Sequence, residues 1–364
     1  MSDSEDRTRI SQKNLERYRE LAEEEYLGDA DPSVEPYVRA TVDGPVNPTW
    51  YYHTPHGMFR APESRDLDQA DIACVGVPMD IGTPNQRPGS RLGPRELRKW
   101  SINQGPLNAE TGVNPFELAR IADWGDVRLS RNPYDLATNV EELTDAYRVF
   151  REHDVVPLSI GGEHTLTYPV LRALGETEPL GVIHLDAHPD TRTGSYQGAA
   201  VNDGNLFTRA VCDGVIDPER CVQIGLRGRA LRVSRFAEKI GMTVIPASEF
   251  QERGPEDVVA EALDVVGESP YYLTIDTDVL DPAAMPGTTL PEPFGLTGRE
   301  VRDVLRGLRG SDVVGADLVE LSPTYDPTGK SGCLAAGIAF EELCLLAEAR
   351  AERTGETRRT EWER

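Results

Sequence analysis

The sequence predicts an α/β protein of three layers, in which helices cover both faces of a mainly parallel central sheet. Short β-branched runs alternate with helical patterns from Ile72 onward, and this alternation is typical of parallel strands joined by crossover helices. The chain has 364 residues, of which 38% are hydrophobic, so it is long enough to form one large domain or two ordinary ones.

The strands and helices of this fold can be placed in order along the chain. Each predicted strand is a short apolar run bounded by turn residues. Helical patterns follow Gly93-Pro94 and occupy residues 166–174, 299–308 and 336–350. The predicted strands are, in chain order, IACVGV, VVPLSI, GVIHL, CVQIGL, TVIPA, YYLTID and DVVGADLVEL.

Residues 1–66 differ from the rest of the chain. An acidic stretch over 14–27 has a helical pattern and leads into a segment punctuated by Pro and Gly that ends in TWYYHTPHGMFRAPES. We expect residues 1–66 to form an N-terminal extension, 67–350 the main domain and 351–364 a charged tail. The aromatic part at 50–56 is expected to pack on its own domain, with a docking surface or lid as the alternative.

The chain carries a large negative charge. Its formal net charge of -24 and pI near 4.7 argue against binding to nucleic acid or anionic membranes and are compatible with a small cationic substrate.

Five cysteines without a Cys-x-x-Cys pair favour buried thiols in a reducing compartment. The acidic start MSDSEDRTR differs from a signal peptide, so we expect a cytoplasmic protein.

Acidic and histidine residues follow four of the predicted strands, at the point where each strand ends. The carboxyl ends of parallel strands share one edge of a sheet, so these side chains are expected to converge. Any one of them alone is more often a helix cap, a turn residue or a satisfied core group. Four aspartates gathered in one crevice would repel each other unless cations lay between them. The motifs are GGEH at 161–164, DAHPD at 186–190, DTDVLD at 276–281 and the acid Glu320.

The types of side chain indicate which cations. Four carboxylates with two imidazoles and no thiolate suit hard or borderline divalent ions, with manganese the first choice and nickel, cobalt or zinc possible. The excess of carboxylates suggests that two ions are bridged. Such a pair, roughly 3.5–4 Å apart, can share a water whose pKa falls towards about 7.

The three motifs, taken together, resemble the signatures of the ureohydrolase family, which includes arginase and agmatinase. The similar segments are GGEH (161–164), DAHPD (186–190) and TIDTDVLDP (274–282). In addition, residues 76–98 resemble the first strand-loop-helix of that family, and residues 317–329 resemble its closing strand. The resemblance implies an arginase-like fold and a metal-dependent hydrolase that cleaves a guanidino compound into urea and an amine. It also implies a homo-oligomer, either a trimer or a hexamer.

The resemblance implies a ligand set for each of two metal ions. Asp186 and Asp276 would bridge both ions. The first ion would be held by His164, Asp186, Asp190 and Asp276, and the second by His188, Asp186, Asp276 and Asp278.

Three more acids have implied roles. Glu320 would pair with the substrate guanidinium, since a carboxylate can accept two parallel N–H bonds from that group. Asp203 stands where relatives commonly have a histidine that moves protons, and it could act as an acid only if burial or charge raised its pKa. An ordinary surface aspartate is the alternative. Asp281 is expected to brace the turn before Pro282.

Agmatine is the first choice of substrate by resemblance. Arginase relatives usually carry an acid in the loop similar to 225–230, whereas this loop has Arg227 and Arg229, which argues against arginine. Guanidino acids, such as guanidinobutyrate and guanidinopropionate, are the runner-up because Arg192, Arg227 or Arg229 could meet a distal carboxylate. Solvated or ion-paired surface arginines are the alternative for each.

The loop at 286–296 bears on the size of the pocket. Compared with the family form, Thr289, Leu290 and Phe294 add bulk or remove a hydroxyl. If they face the site, a short substrate such as free guanidine would fit. The alternative is that Phe294 turns outward towards the extension near Trp50.

Two other functions remain open at this point. A metal-binding subunit without catalysis is compatible with the altered stretch at Asp203, although retention of all six ligands and Glu320 argues against it. A hydrolase of formimino amino acids, which would release formamide, is the second rival.

Overall fold

The computed structural model describes part of the chain. One described range forms helix α1 (Gln12–Glu23), which agrees with the helix predicted over 14–27 as far as it is described. The aromatic segment at 50–56 and the tail beyond 355 lie outside the described residues, so the predicted domain boundaries stay predictions. The described residues are 11–23, 57–82, 87–129, 132–194, 200–229, 231 and 235–355.

One sheet of eight strands organises the second part of the described chain, from residue 57 onward. Its strands are β1 (Ile72–Val77), β2 (Ile121–Asp126), β3 (Val156–Gly161), β4 (Leu180–Leu185), β5 (Ile216–Leu226), β6 (Thr243–Pro246), β7 (Tyr271–Asp276) and β8 (Val313–Val319). Their order is β2-β1-β3-β8-β7-β4-β5-β6, and every pairing is parallel. The predicted fold class is therefore confirmed.

Burial explains which strands the sequence revealed. Every residue of β1, β3, β4 and β7 is buried, because helices cover both faces of a parallel sheet, and these strands read as continuous apolar runs. The sequence prediction missed β2, whose IADWGD has an aspartate in its middle and becomes partly exposed at its end. Its position at the edge of the sheet makes that composition tolerable.

Helices form the two outer layers. One face of the sheet packs against α2 (Gly93–Ser101), α3 (Pro115–Leu118), α8 (Ala247–Arg253), α9 (Pro255–Val266), α10 (Gly298–Gly307) and α11 (Lys330–Thr354). The opposite face packs against α4 (Leu136–Glu152), α5 (Thr167–Leu174), α6 (Leu206–Cys212) and α7 (Phe236–Ile240). The helices predicted after Gly93-Pro94, over 166–174, over 299–308 and over 336–350 correspond to α2, α5, α10 and α11.

Local sequence sets where these helices begin. The Thr297 hydroxyl accepts from the Glu300 N–H at 3.2 Å while the Glu300 carboxylate accepts from the Thr297 N–H at 2.7 Å, and this reciprocal cap starts α10.

None of the described helices has the combination of length and apolar character needed to cross a bilayer. All five cysteines are free thiols, but Cys212 and Cys333 are exposed, contrary to the prediction that the thiols are buried.

The strand order places the predicted motifs side by side. β3, β8, β7 and β4 are consecutive neighbours at the middle of the sheet, and each ends at one of the four motifs. Parallel strands present their carboxyl ends at the same edge. Residues as distant along the chain as His164 and Glu320, which are 156 positions apart, therefore come into hydrogen-bond contact.

Candidate metal centre

The turn after β3 brings His164 to the edge of the sheet. A side chain on Gly162 would come within 2.3 Å of the Met79 carbonyl oxygen and 2.4 Å of the Val77 carbonyl oxygen, so only glycine fits there. The close approach lets the chain turn directly from the strand into the short helical turn that holds His164, which is fully buried.

The hydrogen bonds of His164 fix which of its nitrogens is protonated. Its Nε2 lies 2.9 Å from the Thr274 hydroxyl, and that hydroxyl donates to Asp317 Oδ1 at 2.6 Å. The Thr274 oxygen must therefore accept from His164, so the proton is on Nε2 and Nδ1 is a bare lone pair. Nδ1 is buried and has no hydrogen-bond partner among the described residues.

The bare nitrogen faces three carboxylates. His164 Nδ1 lies 3.2 Å from Asp186 Oδ2, 3.1 Å from Asp190 Oδ2 and 3.6 Å from Asp276 Oδ2. Lone pairs so close together repel each other unless a positive charge lies among them. The arrangement fits a cation held by one imidazole and three carboxylates.

A second group adjoins the first through Asp186. His188 Nδ1 lies 2.9 Å from Asp278 Oδ2 and 3.5 Å from Asp186 Oδ1. Asp186, His188 and Asp278 each present a ligand atom within 4.8 Å of the others. Asp186 turns one oxygen towards each histidine, which is the orientation that a bridging carboxylate needs.

Burial and mutual repulsion alter the acidity of this cluster. Burial, followed by the charges of Asp278 and Asp186, raises the pKa of Asp276 well above its usual range. Burial likewise raises the pKa of Asp190 to about 7 and that of Asp278 to about 6. Divalent cations would stabilise the ionised carboxylates and remove this penalty. The donor set therefore fits two divalent ions, and it unites all six residues predicted from the sequence, His164, Asp186, His188, Asp190, Asp276 and Asp278.

Glu320 is held rigidly beside the cluster. It is 3% exposed, and its Oε1 accepts from the His164 N–H at 2.9 Å while its Oε2 accepts from the Thr289 hydroxyl at 2.5 Å. Burial, with the charge of Asp203 adding to it, raises the pKa of Glu320 to about 8. Its backbone has a φ of 66°, and that of Asp190 has a φ of 46°. Such strained conformations are concentrated at functional sites.

A pocket of about 550 Å³ opens above these residues. We call its buried part the pocket floor and its more exposed part the pocket mouth. The pocket floor consists of His164, His188, Asp190, Asp276, Asp278 and Glu320, and the pocket mouth consists of Arg87, Arg192, Asp203, Arg229, Leu290 and Glu292.

Asp203 lies at the pocket mouth. It is half-buried at the start of a short helical turn that Asn202 caps. The Gly204 N–H donates to its Oδ1 at 2.7 Å. Asp203 therefore faces the pocket from a fixed backbone.

The arginines differ from one another in a way the sequence did not reveal. Arg227 is 6% exposed and donates to the carbonyl oxygens of Asp278 at 2.6 Å and Glu292 at 2.7 Å, among others, so it holds the loop together outside the pocket. It is therefore not placed to meet a substrate carboxylate. Arg192 and Arg229 do line the pocket, and their guanidinium groups form no hydrogen bond or ion pair with other described residues.

Arg87 is a pocket residue that the sequence interpretation missed. Its guanidinium carbon lies 4.1 Å from the centre of the Tyr325 ring, and it donates to the Pro286 carbonyl oxygen at 2.9 Å. The resemblance of residues 76–98 to a strand-loop-helix of the family does not by itself show that Arg87 reaches the pocket.

The loop at 286–296 places two of its three unusual side chains at the pocket. Thr289 and Leu290 line it, whereas Phe294 is 80% exposed and takes no part in it. Asp281 fixes this loop by accepting from the backbone N–H of Ala283 at 2.9 Å and of Phe294 at 2.8 Å, which confirms its expected bracing role.

Several buried polar residues support the pocket floor and were not singled out from the sequence. A signal was present, because Thr274 and His184 each precede a predicted ligand by two positions, and residues two apart on a strand share a face. The supporting residues are Thr274, Asp317, His184 and Gln223.

Comparison with known proteins shows the family of the chain. The model of the Arginase family matches residues 70–344. This chain belongs to the arginase family. It is a metal-dependent hydrolase that acts on the amidino C–N bonds of small guanidino compounds, as members of that family do.

Individual relatives differ in the guanidino compound they are named for. The chain is 42% identical over 296 residues to a guanidinopropionase of Pseudomonas aeruginosa, an alignment that covers 81% of this chain and 92% of that protein. It is 39% identical over 292 residues to the mitochondrial agmatinase of Gallus gallus, covering 79% of this chain and 85% of that protein. The solved structure of proclavaminate amidino hydrolase from Streptomyces clavuligerus is similar with a TM-score of 0.78 and 35% identity, covering 82% of this chain and 99% of that one.

Proposed function

We propose that this chain hydrolyses guanidino acids, such as guanidinopropionate or guanidinobutyrate, to urea and an amino acid. The observation that supports this substrate class is the pair Arg192 and Arg229 at the pocket mouth. On a chain with a net charge of -24, these two guanidinium groups face the pocket without a carboxylate partner among the described residues. Arginine binds carboxylates through two parallel hydrogen bonds, so the pair suits a substrate anion.

The pocket has opposite polarity at its two ends, and so does a guanidino acid. Carboxylates of the pocket floor suit the cationic guanidinium, and arginines of the pocket mouth suit the distal carboxylate. Glu320 faces the pocket with one oxygen on the His164 N–H and the other on the Thr289 hydroxyl, so its orientation is set before substrate arrives. Prior orientation of this kind lowers the entropic cost of reaching the reactive geometry.

Two divalent ions are proposed as the cofactors, with manganese first and nickel second, because the donors are oxygen and nitrogen without thiolate. When bound, such ions lower the pKa of water towards about 7 and so supply a nucleophile at neutral pH. His164, Asp186, Asp190 and Asp276 are proposed to hold one ion, and His188, Asp186, Asp276 and Asp278 the other.

The residues of the chain then have distinct tasks in the reaction. Glu320 aligns the guanidinium so that its carbon meets the water oxygen while the bond from that carbon to the substituted nitrogen breaks. Asp203, half-buried at the pocket mouth, is proposed to accept a proton from the attacking water and to pass it to the departing amine nitrogen. The products are urea and the free amino acid.

Agmatine is the second candidate substrate. The observation that favours it is Glu292, a carboxylate at the pocket mouth that suits a distal amine. The resemblance of the sequence to agmatinases, including the Gallus gallus protein, points the same way.

A substrate panel tests the proposal. Urea release is measured with guanidinopropionate, guanidinobutyrate, agmatine, arginine and guanidine, using protein loaded with manganese or nickel. We expect kcat/KM for a guanidino acid to exceed that for agmatine by at least about tenfold, the effect of roughly one charged hydrogen bond. A preference for agmatine would reject the guanidino-acid proposal, and release of formamide from a formimino amino acid would favour that rival.

The oligomeric state stays a prediction. We propose a homo-oligomer, a trimer or a hexamer, on the basis of the family resemblance. Light scattering of the purified protein measures the mass directly, and a mass equal to one chain would contradict it.

A further inference from the structure

His184 lies under the predicted ligands and has no role in the reaction proposed above. It is 1% exposed, and its ring is sandwiched between Phe207, with ring centres 4.5 Å apart, and His164, with ring centres 5.1 Å apart. Its Nε2 lies 2.8 Å from Asp186 Oδ2. Two interpretations are open from this distance alone: His184 is a further metal ligand, or it donates a hydrogen bond to Asp186.

Gln223 decides between them. It pairs with His184 across strands β4 and β5, so the two side chains project from neighbouring positions. The Gln223 side-chain nitrogen lies 2.6 Å from the Pro189 carbonyl oxygen and 3.0 Å from His184 Nδ1. A carbonyl oxygen only accepts hydrogen bonds, so the group that faces Pro189 must be the NH₂ end of the amide.

The second hydrogen of that NH₂ group points at the imidazole. His184 Nδ1 must then be an acceptor, which leaves the ring proton on Nε2. Nε2 therefore donates to Asp186 Oδ2. A nitrogen that carries a hydrogen has no lone pair for a metal ion, so His184 is excluded as a ligand in this arrangement.

We infer that Gln223 and His184 form a positioning pair, in which the amide sets the imidazole tautomer and the imidazole sets the orientation of Asp186. The other oxygen of Asp186 accepts from the His188 N–H at 2.6 Å, so the carboxylate is held at both ends. It then presents one oxygen to His164 and the other to His188. The inference rests on the proposed role of Asp186 as a bridging ligand.

The expected effect is on metal affinity. Hydrogen-bond partners of metal ligands typically contribute 10- to 100-fold to affinity, because they hold the ligand in its binding orientation. His184→Phe removes the donor but keeps a ring between Phe207 and His164. His184→Gln restores an NH₂ donor at about the position of Nε2. Gln223→Leu leaves the imidazole ring in place but no longer fixes which of its nitrogens carries the proton.

The experiment titrates Mn²⁺ into metal-stripped protein and reads the affinity by calorimetry, with circular dichroism to check folding. We expect His184→Phe to weaken Mn²⁺ binding roughly 10- to 100-fold, His184→Gln to stay within about threefold of wild type, and Gln223→Leu to fall between them. Tyr147→Phe is the matched control, since it removes a different buried hydrogen bond, which joins the Tyr147 and Ser159 hydroxyls at 2.7 Å, and it should leave the Mn²⁺ affinity unchanged.

Each remaining outcome has a defined meaning. Wild-type affinity in His184→Phe overturns the inference. Equal losses in His184→Phe and His184→Gln also overturn it, because they would show that an imidazole nitrogen binds the metal instead of donating a hydrogen bond to Asp186. If His184→Phe does not fold, unchanged affinity in Gln223→Leu overturns the role of the pair. Asp186→Asn separates the two levels: if it retains wild-type affinity for Mn²⁺, the proposed ligand set fails rather than the positioning alone.

Discussion

The pocket floor and the pocket mouth are built in different ways. On the pocket floor, acids and histidines follow directly from strand ends, and hydrogen bonds to backbone N–H groups or buried side chains hold them. At the pocket mouth, Arg192, Arg229 and Leu290 lie exposed on loops, and the two arginines have no partner among the described residues. The proposed metal ligands thus follow the strands of the sheet, whereas the arginines proposed to bind the substrate carboxylate lie on loops that can change without disturbing the sheet.

The largest effect is expected on the pocket floor. Asp276→Asn should abolish metal loading and urea release together, because the proposed bridging carboxylate would be replaced by a neutral amide. The loss of metal affinity should exceed the roughly 10- to 100-fold loss that follows removal of a hydrogen-bond partner of a metal ligand. Metal content by mass spectrometry and urea release measure the two quantities on the same sample.

Asp281→Asn is the control within the same motif. One oxygen of Asp281 accepts from the N–H groups of Phe294 and Gly295, and the other accepts from the Ala283 N–H. Asp281 lies outside the pocket lining, and an asparagine keeps one of these two acceptors. It should keep both metal and activity. An Asp276→Asn protein that keeps both at near wild-type levels would refute the ligand assignment.

The pocket mouth should affect substrate choice and leave the metal alone. Arg192→Ala and Arg229→Ala are each expected to lower kcat/KM for a guanidino acid roughly 10- to 100-fold, since a hydrogen bond between charged groups contributes about 1.5–3 kcal/mol. Metal content should not change. Steady-state kinetics on guanidinobutyrate measures the effect.

Free guanidine is the built-in control for this prediction, because it has no distal carboxylate. Turnover of guanidine, where detectable, should be the same in both variants and in wild type. If the arginine variants lose activity on guanidine as well, the arginines maintain the structure of the pocket and do not bind a substrate carboxylate.

The pocket floor could be predicted from the sequence because its residues sit at strand ends, and a strand end is visible as an apolar run followed by a polar motif. The adjacency of β3, β8, β7 and β4 could not be read in this way, since strand order is a tertiary property. The arginines show the limit most clearly: Arg227 and Arg229 are two positions apart, yet one is saturated by carbonyl oxygens and the other faces the pocket. Sequence spacing in an irregular loop does not fix the side-chain direction.

Glu342 is a buried acid outside the pocket, and we expect it to lower the stability of the fold. It is fully buried in α11, and neither carboxylate oxygen has a hydrogen-bond partner among the described residues. Burial, with the charge of Asp317 adding to it, raises the pKa of Glu342 well above its usual range. Glu342→Met should therefore increase the free energy of unfolding at neutral pH by about 1–3 kcal/mol, because it removes an unsatisfied buried acid at similar volume.

The gain should depend on pH in a defined direction. Because the folded-state pKa of Glu342 lies above the unfolded value of about 4.3, the native state holds an extra proton between the two values, and the free energy of unfolding falls as pH rises through that window. Glu342→Met lacks this contribution, so its gain in free energy of unfolding over wild type, measured by urea unfolding, should be larger at pH 7.5 than at pH 4.5.

Glu341→Met is the neighbouring control: Glu341 is paired with Arg306, so its replacement should not raise the free energy of unfolding. An equal gain at both pH values would show that the charge of Glu342 is not responsible.

The smallest effect is expected just outside the pocket mouth, at Phe294. This residue is 80% exposed and has a φ of 65°, a left-handed conformation that disfavours any residue with a side chain. Phe294→Gly relieves that strain but makes the unfolded chain more flexible, so we expect the free energy of unfolding to rise by about 0.5–1 kcal/mol, visible as a small rise in melting temperature.

The preference of Phe294→Gly among guanidino acids of different length should not change, because Phe294 takes no part in the pocket lining. Leu290→Ala, in the same loop but on the pocket side, is the matched variant and should shift that preference towards longer substrates by enlarging the pocket. A shift caused by Phe294→Gly instead would mean that the Phe294 ring reaches the substrate and that Phe294 belongs to the pocket mouth.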